Sequence, residues 1–264
     1  MNATVFLGGG RITGALLAGL RLSGYKPPII VHDRHASKLR QLRKKYGVIT
    51  EPDLQRAVAQ AHMLIIAVRP DGVVSLLKSI GNLHREAIAV SLAAGIPLSK
   101  LRPRLGSQTR WARAMPSPVC RSGRGLTAIT FERNMSKAAR REILSFFGQL
   151  GKVLEIPESA VDAFTVTYSS SHGYHALVTL ARAAERLGLD SQTALAAATH
   201  ALADGILSWR QGNMPLKYLL REAATPGGIA ATVMTTMDTS GYPGIVERGL
   251  RAGIKRARAK AKKT

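Results

Sequence analysis

The chain has 264 residues, 45% of them hydrophobic, with 38 Lys+Arg against 16 Asp+Glu and a formal net charge of +22; that length suits one large domain or two ordinary ones with a real core. A single cysteine, Cys120, excludes an intrachain disulfide and a cysteine-rich metal site, and the seven histidines show no HExxH-like spacing, so no metal is expected. No apolar run approaches the roughly 18–20 residues of a membrane span, and the amino terminus enters a strand almost at once, leaving no room for a secretory signal; a reducing cytoplasm is the expected compartment.

Thr4-Val5-Phe6-Leu7 reads as a strand that runs straight into Gly8-Gly9-Gly10-Arg11-Ile12-Thr13-Gly14, and Ala15 to Leu20 follows with helical spacing. Strand, glycine turn and helix in that order suit a dinucleotide pyrophosphate. Gly8 allows the sharp turn and Gly10 lets the backbone approach the phosphates, while the helix offers free N–H groups and its positive dipole end. Gly8, Gly10, Arg11, Ile12 and Thr13 are therefore candidate cofactor contacts. Thr13 occupies the third fingerprint position, with the glycine displaced to Gly14.

Ile29-Ile30-Val31 reads as a second strand ending in His32-Asp33-Arg34-His35, and Ser37 to Tyr46 as a helix with a basic face. Asp33 stands about 20 residues past the turn, where an acid normally accepts the ribose 2′-hydroxyl of NAD. Arg34, His35, Ser37 and Lys38 are instead donors suited to a 2′-phosphate. The balance of donors favours NADPH, with Asp33 rotated outward or paired with Arg34; NADH is the alternative.

Further apolar runs, Met63–Val68, Ala87–Ser91, Arg110–Met115, Leu126–Thr130 and Val153–Ile156, alternate with amphipathic stretches, and Lys137 to Leu150 reads as a helix stopped by Gly151. This is the pattern of a parallel sheet with crossover helices. Past Pro157 the texture changes to alanine- and leucine-rich helices: Ser159 to Leu187, Ser191 to Gln211, Pro215 to Ala223, Ile229 to Met237 and Gly244 to Lys260. The expected organisation is α/β, with a Rossmann-type dinucleotide-binding domain over 1–157 followed by an all-α domain over 158–264 whose small apolar surface suits an oligomer interface, a self-contained bundle being the alternative. The closing run Arg248, Arg251, Lys255, Arg256, Arg258, Lys260, Lys262 and Lys263 reads as a basic helix fraying into a solvated tail; a nucleic-acid or membrane-surface role is the alternative.

Several segments, in this order and spacing, carry a resemblance that spans nearly the whole chain: Phe6-Leu7-Gly8-Gly9-Gly10, Ala67-Val68-Arg69-Pro70, Ser91-Leu92-Ala93-Ala94-Gly95-Ile96, Arg113-Ala114-Met115-Pro116, Gly151-Lys152-Val153, Asp162-Ala163-Phe164-Thr165 and Thr225-Pro226-Gly227-Gly228. Together they resemble the pyrroline-5-carboxylate reductase family. The resemblance implies a helical domain that dimerises by interleaving its helices, with rings of dimers possible. It also implies hydride transfer from NADPH to the C=N carbon of 1-pyrroline-5-carboxylate, giving L-proline. Ala67, Val68, Arg69 (where the family usually has lysine) and Pro70 would line the nicotinamide side. Ala93, Ala94, Gly95, Met115 and Pro116 would close around the same cofactor. Independently, a Pro-Gly-Gly turn opening a helix aims backbone N–H groups at an anion, so Gly227, Gly228 and the amides of Ile229 and Ala230 suit a substrate carboxylate.

The substrate end departs from the family. A threonine thought to hydrogen-bond the substrate is replaced by Ala230, and Ser-Gly-Ser-Gly-Pro becomes Tyr168-Ser169-Ser170-Ser171-His172. Ser170 is a candidate substrate contact, Thr225 a candidate catalytic group, and His172 a candidate proton donor because an imidazole can both carry and release a proton; a histidine paired inside a helix bundle is the bland alternative. Two rival readings stay open: a reductase of another cyclic imine or imino acid, and a catalytically silent nucleotide- or nucleic-acid-binding homologue.

Overall fold

A computed structural model describes residues 3–262. Strands and helices alternate as β1 (Ala3–Leu7), α1 (Arg11–Leu22), β2 (Ile29–His32), α2 (Ala36–Tyr46), β3 (Ile49–Thr50), α3 (Leu54–Ala59), β4 (Ala61–Ile66), α4 (Pro70–Ile80) and β5 (Ala87–Ser91). There follow α5 (Leu98–Leu101), β6 (Thr109–Met115), β7 (Gly125–Phe131), α6 (Lys137–Gly148) and β8 (Gly151–Glu155). The strands form one sheet in the order β3-β2-β1-β4-β5-β6-β7-β8. Strand order reverses between β1 and β4, so the carboxyl ends of those two strands frame the crevice where such sheets bind ligands.

Alternation along the strands explains the continuous apolar runs, because both faces are covered. Phe6, Met63, Ile65, Val90, Ala112 and Ile129 face Leu16, Leu20, Phe146 and Phe147 of α1 and α6. Val5, Leu7, Leu64, Ile66, Ala89 and Trp111 point the other way, against Val73 and Leu77 of α4. The expected parallel sheet needs one correction: β7 runs antiparallel to β6. The link from Met115 to Gly125, a 3-10 turn over Pro118–Ser122, is shorter than the dozen or so residues of a parallel crossover. α1 sits directly on that turn, and a Cβ at Gly19 would run into the Cys120 carbonyl.

The remaining helices are α7 (Val161–Thr167), α8 (Ser170–Arg186), α9 (Ser191–Gln211), α10 (Leu216–Ala223), α11 (Ile229–Thr239) and α12 (Tyr242–Lys262). The single helix expected over Ser159 to Leu187 is broken at Tyr168, whose backbone leaves the helical region at φ −85°, ψ 67°. Its hydroxyl accepts the Leu126 N–H of β7 at 2.7 Å, and the following serines restart the chain as a helix N-terminus, a position that residue type favours. The chain divides into two compact units: one runs to Tyr168 and takes the chain back from Gly253, and the other is Ser169–Ala252.

That return corrects the expected fraying, while the cations from Arg248 to Lys260 stay exposed as a solvated face does and Lys263 lies outside the described residues. α12 stays helical to Lys262, and Ala261, 3% exposed, joins the core around Trp111, Leu98 and Leu101. Lys100 Nζ donates to the Ala261 carbonyl at 3.1 Å, Arg258 Nε donates to Asp162 Oδ2 at 2.7 Å, and a Cβ on Gly95 would stand 2.5 Å from the Ala257 carbonyl oxygen. Ala257 and Ala261 lie four apart, on one helix face, so a chain with many cations still presents a small apolar stripe that packs.

In the second unit the buried residues of α8 and α9 are alanines: Ala181, Ala194 and Ala198. Large apolar side chains there, among them Leu195, Ile206, Leu207, Leu216, Tyr218 and Met237, are exposed in the single chain. Among the described residues no helix is long and apolar enough to cross a membrane.

Candidate dinucleotide and substrate sites

The turn after β1 is built by residues that admit no substitute for hydrogen at one position and leave open space at another. Gly8 has φ +116°, and a Cβ there would meet the Ala67 carbonyl oxygen at 2.7 Å and its carbon at 2.9 Å. Its N–H continues the ladder to His32 O at 2.8 Å, and the Ala67 N–H bonds Leu7 O at 2.9 Å. The glycine turn and Ala67 are thus locked side by side at the switch point. Gly10, the N-cap of α1 at φ −83°, would find no heavy atom within 4 Å of a Cβ. The first amides of α1, those of Arg11, Ile12 and Thr13, have no preceding helical carbonyl to bond. Thr13 is fully buried, and its hydroxyl donates to the Gly8 carbonyl at 2.5 Å. A threonine at the third fingerprint position therefore closes the turn from inside.

Asp33 follows β2 and lies beneath the same turn. Its carboxylate is only 8% exposed and accepts the Gly9 N–H at 2.8 Å and the His35 N–H at 2.9 Å. His35 Nδ1 lies 2.8 Å away and Lys38 Nζ 3.3 Å away. Burial by itself would raise the pKa of this acid; the hydrogen bonds from Gly9 and His35, with the Lys38 charge, outweigh burial and hold it at about 2. The expected rotation outward or pairing with Arg34 does not occur: the acid turns inward, because an amide of the glycine turn needs an acceptor there. Arg34 is exposed.

The other cofactor candidates gather at neighbouring strand ends. Ala67 and Val68 follow β4, exposed Arg69 caps α4, and Pro70 begins it. The Leu92 N–H bonds Ile66 O at 3.0 Å, carrying Ala93, Ala94 and Gly95 to the same edge. Ala93 is buried, and Gly95 has φ +77° with α12 against it. Met115, at the end of β6, and Pro116 complete the row. Beside it, Arg113 is 3% exposed, and its Nη1 lies 3.4 Å from Glu158 Oε1, which also accepts the Leu98 N–H at 2.5 Å. This pair fixes the start of α5 just beyond Ala93–Gly95. Sequence reading missed it, as it missed the role of Gly9, because a buried ion pair and a bonded amide leave no local pattern.

The substrate candidates lie in the second unit, at two helix N-termini. Ser170 opens α8 and His172 is exposed in its first turn, the His172 N–H bonding Ser169 O at 3.0 Å. The Gly228 N–H bonds Thr225 O at 2.9 Å. Gly227 has φ +76°, and a Cβ on Gly228 would stand 2.7 Å from Thr225 Oγ1. Gly228 caps α11, whose first residues Ile229 and Ala230 are exposed. Among the described residues, no group of His, Cys, Asp and Glu is arranged to hold a metal.

A doubly wound sheet carrying this turn at its switch point, followed by helices, defines the class of two-part dinucleotide-binding oxidoreductases. A family model described as "NADP oxidoreductase coenzyme F420-dependent" matches residues 4–95, and one described as "Pyrroline-5-carboxylate reductase dimerisation" matches residues 158–260. The pyrroline-5-carboxylate reductase of Mycobacterium tuberculosis is 30% identical, over 97% of this chain and 96% of that one; that of Corynebacterium melassecola is 27% identical, over 96% of each. The chain belongs to the pyrroline-5-carboxylate reductase family. Among solved structures, a pyrroline-5-carboxylate reductase from Coxiella burnetii aligns with a TM-score of 0.86 at 22% identity, covering 98% of both chains. The Plasmodium falciparum pyrroline carboxylate reductase with NADP bound aligns at 0.85 and 18%, with the same coverage; these two likenesses concern the fold.

Proposed function

We propose that this chain reduces the C=N bond of 1-pyrroline-5-carboxylate to L-proline with NADPH. The observation that carries this is the Gly8–Thr13 turn locked to Ala67 at the switch point, in a chain that matches pyrroline-5-carboxylate reductases along its length. The residues fit a dinucleotide: Gly10 leaves open space and the start of α1 presents free amides to a pyrophosphate. When bound, the nicotinamide supplies the hydride. The strand-end row from Ala67 to Pro70, Ala93 to Gly95 and Met115 to Pro116 orients the ring and excludes water. Gly227, Gly228 and the first amides of α11 hold the substrate carboxylate, a small-molecule anion that a cationic chain attracts. His172 Nδ1 or Nε2, or the Thr225 hydroxyl, holds the proton destined for the imine nitrogen.

A second copy of the chain is the partner for the exposed apolar side chains of Ser169–Ala252, making a homodimer, and dimers can assemble further into rings. A second reading, reduction of another cyclic imine or imino acid, is favoured by Ala230, which has no hydroxyl at the start of α11. The nucleic-acid reading keeps the net charge of +22 as its motive, while on α12 Arg258 is paired and Ala261 buried.

NADPH oxidation with a panel of cyclic imines, pyrroline-5-carboxylate first and NADH alongside, tests these readings. Turnover of that substrate is expected; selective turnover of a different imine establishes the second reading, and silence with all overturns both. His172→Ala is expected to lower turnover by roughly tenfold or more at unchanged NADPH affinity; unaltered kinetics would remove His172 from the chemistry.

A further inference from the structure

An acid at the end of β2 can accept a ribose hydroxyl only if one of its oxygens is free. An ionised carboxylate has about four acceptor sites, two on each oxygen. In Asp33 all are occupied from within the chain. Oδ1 takes the His35 N–H and His35 Nδ1, at 2.9 and 2.8 Å; Oδ2 takes the Gly9 N–H and Lys38 Nζ, at 2.8 and 3.3 Å. Opposite an ionised carboxylate, His35 Nδ1 must carry the hydrogen. The bond to Gly9 spans 24 residues, so the acid ties the turn after β1 to the start of α2. Space is tight on that side: a Cβ on Gly9 would lie 3.4 Å from Asp33 Oδ2 and 3.1 Å from Leu42 Cδ1. The next side chain, Arg34, is exposed, and among the described residues no hydrogen bond or ion pair engages it.

We propose, building on the dinucleotide reading above, that Asp33 is a positioning residue that latches the glycine turn rather than a ribose acceptor, leaving Arg34 to select a 2′-phosphorylated dinucleotide. Two properties that a sequence pattern assigns to one strand end are thereby divided between neighbours. Asp33 sets the shape of the turn for any dinucleotide, and Arg34, with no competing partner, supplies a guanidinium suited to a phosphomonoester dianion. Lys38 is partly drawn to the Asp33 carboxylate, which leaves Arg34 as the discriminating cation.

Equilibrium binding of NADP+ and NAD+ by calorimetry, with 2′,5′-ADP and 5′-AMP as fragments, separates the two roles without recourse to turnover. Asp33→Asn places amide hydrogens against donors that need an acceptor, so NADP+ and NAD+ affinities are expected to fall together, by roughly tenfold each, with their ratio kept. Arg34→Ala leaves the latch intact and is expected to weaken NADP+ and 2′,5′-ADP by roughly tenfold or more, with NAD+ and 5′-AMP unchanged. Loss of NAD+ binding alone in Asp33→Asn, with NADP+ spared or improved, would make Asp33 a ribose acceptor and overturn the proposal. Equal losses for both dinucleotides in Arg34→Ala, or no loss for either, would overturn it as well. Should Asp33→Asn fail to fold, as judged by thermal unfolding without ligand, the Arg34→Ala ratios decide. A parent protein that binds neither dinucleotide would refute the underlying functional reading and this proposal with it.

Discussion

Replacing Gly8 with alanine tests whether the turn is a folded-state requirement before it is a ligand site. At φ +116° an L-residue is strained, and the added methyl would lie 2.7 and 2.9 Å from the backbone oxygen and carbon of Ala67 and 3.1 Å from Val68 Cγ1. Ala67 cannot swing aside, because its own N–H is bonded to Leu7 O at 2.9 Å. The strained conformation costs about 1–3 kcal/mol and the overpacking about 1–3 kcal/mol, so Gly8→Ala is expected to destabilise the protein by about 2–6 kcal/mol. For a unit of this size that lowers Tm by about 5–15 °C. Gly10→Ala is the matched control. Its φ of −83° suits alanine and no heavy atom lies within 4 Å of the new methyl, so only the exchange at the helix N-cap, about 1 kcal/mol or less, affects folding. Its methyl instead occupies the approach to the turn, and NADP+ affinity is expected to fall by roughly tenfold or more. Calorimetric unfolding without ligand, paired with NADP+ titration well below the transition, reads both effects. A Gly8→Ala variant melting with the parent, or a Gly10→Ala variant binding NADP+ as the parent does, would refute the reasoning.

The pKa of Asp33 is lower folded, about 2, than the ordinary 3.8. The stabilisation is thus complete above the ordinary carboxylate range and disappears as pH falls from about 4 to 2. Solvent screening reduces it to about 1–2 kcal/mol; urea unfolding at pH 6 and at pH 3 should show about half of that loss in the parent and a correspondingly smaller change in Asp33→Asn. Burying a charge on α12 through Ala261→Glu should cost about 3 kcal/mol or more, seen as a lower Tm; a parent-like Tm would return the terminal stretch to the status of a solvated tail. Ala230→Thr restores a hydroxyl at the start of α11 and is expected to raise kcat/KM for pyrroline-5-carboxylate roughly fivefold, the worth of about one neutral hydrogen bond. An unchanged or lower kcat/KM would count against this substrate at that position.

Much of the site is legible because its signals are local. Three glycines between a strand and a helix specify a turn whichever partners surround it, and Pro226-Gly227-Gly228 before an apolar run specifies a helix N-terminus. The continuous apolar run of β5 and the alanine-rich helical stretch of α9 likewise place both elements to the residue. The substrate end is less readable, since Ser170 and His172 differ from the family segment and nothing in their spacing states what they contact. Tyr168 shows the hazard: grouped with these residues by proximity in sequence, it is instead the anchor of β7 through Leu126.

What the chain determined by itself was its elements, their order and the glycine turn, since each depends on backbone preferences and hydrophobic spacing within a few residues. Tertiary structure alone decided the inward seat of Asp33, the antiparallel course of β7, the break at Tyr168 and the return of α12 to the sheet unit. Three of these rest on a partner distant in sequence: Gly9 for Asp33, Leu126 for Tyr168, Gly95 and Trp111 for the end of α12. A carboxylate at a strand end has the same local signature whether it faces a ribose or an amide; only the fold brings the amide within 2.8 Å.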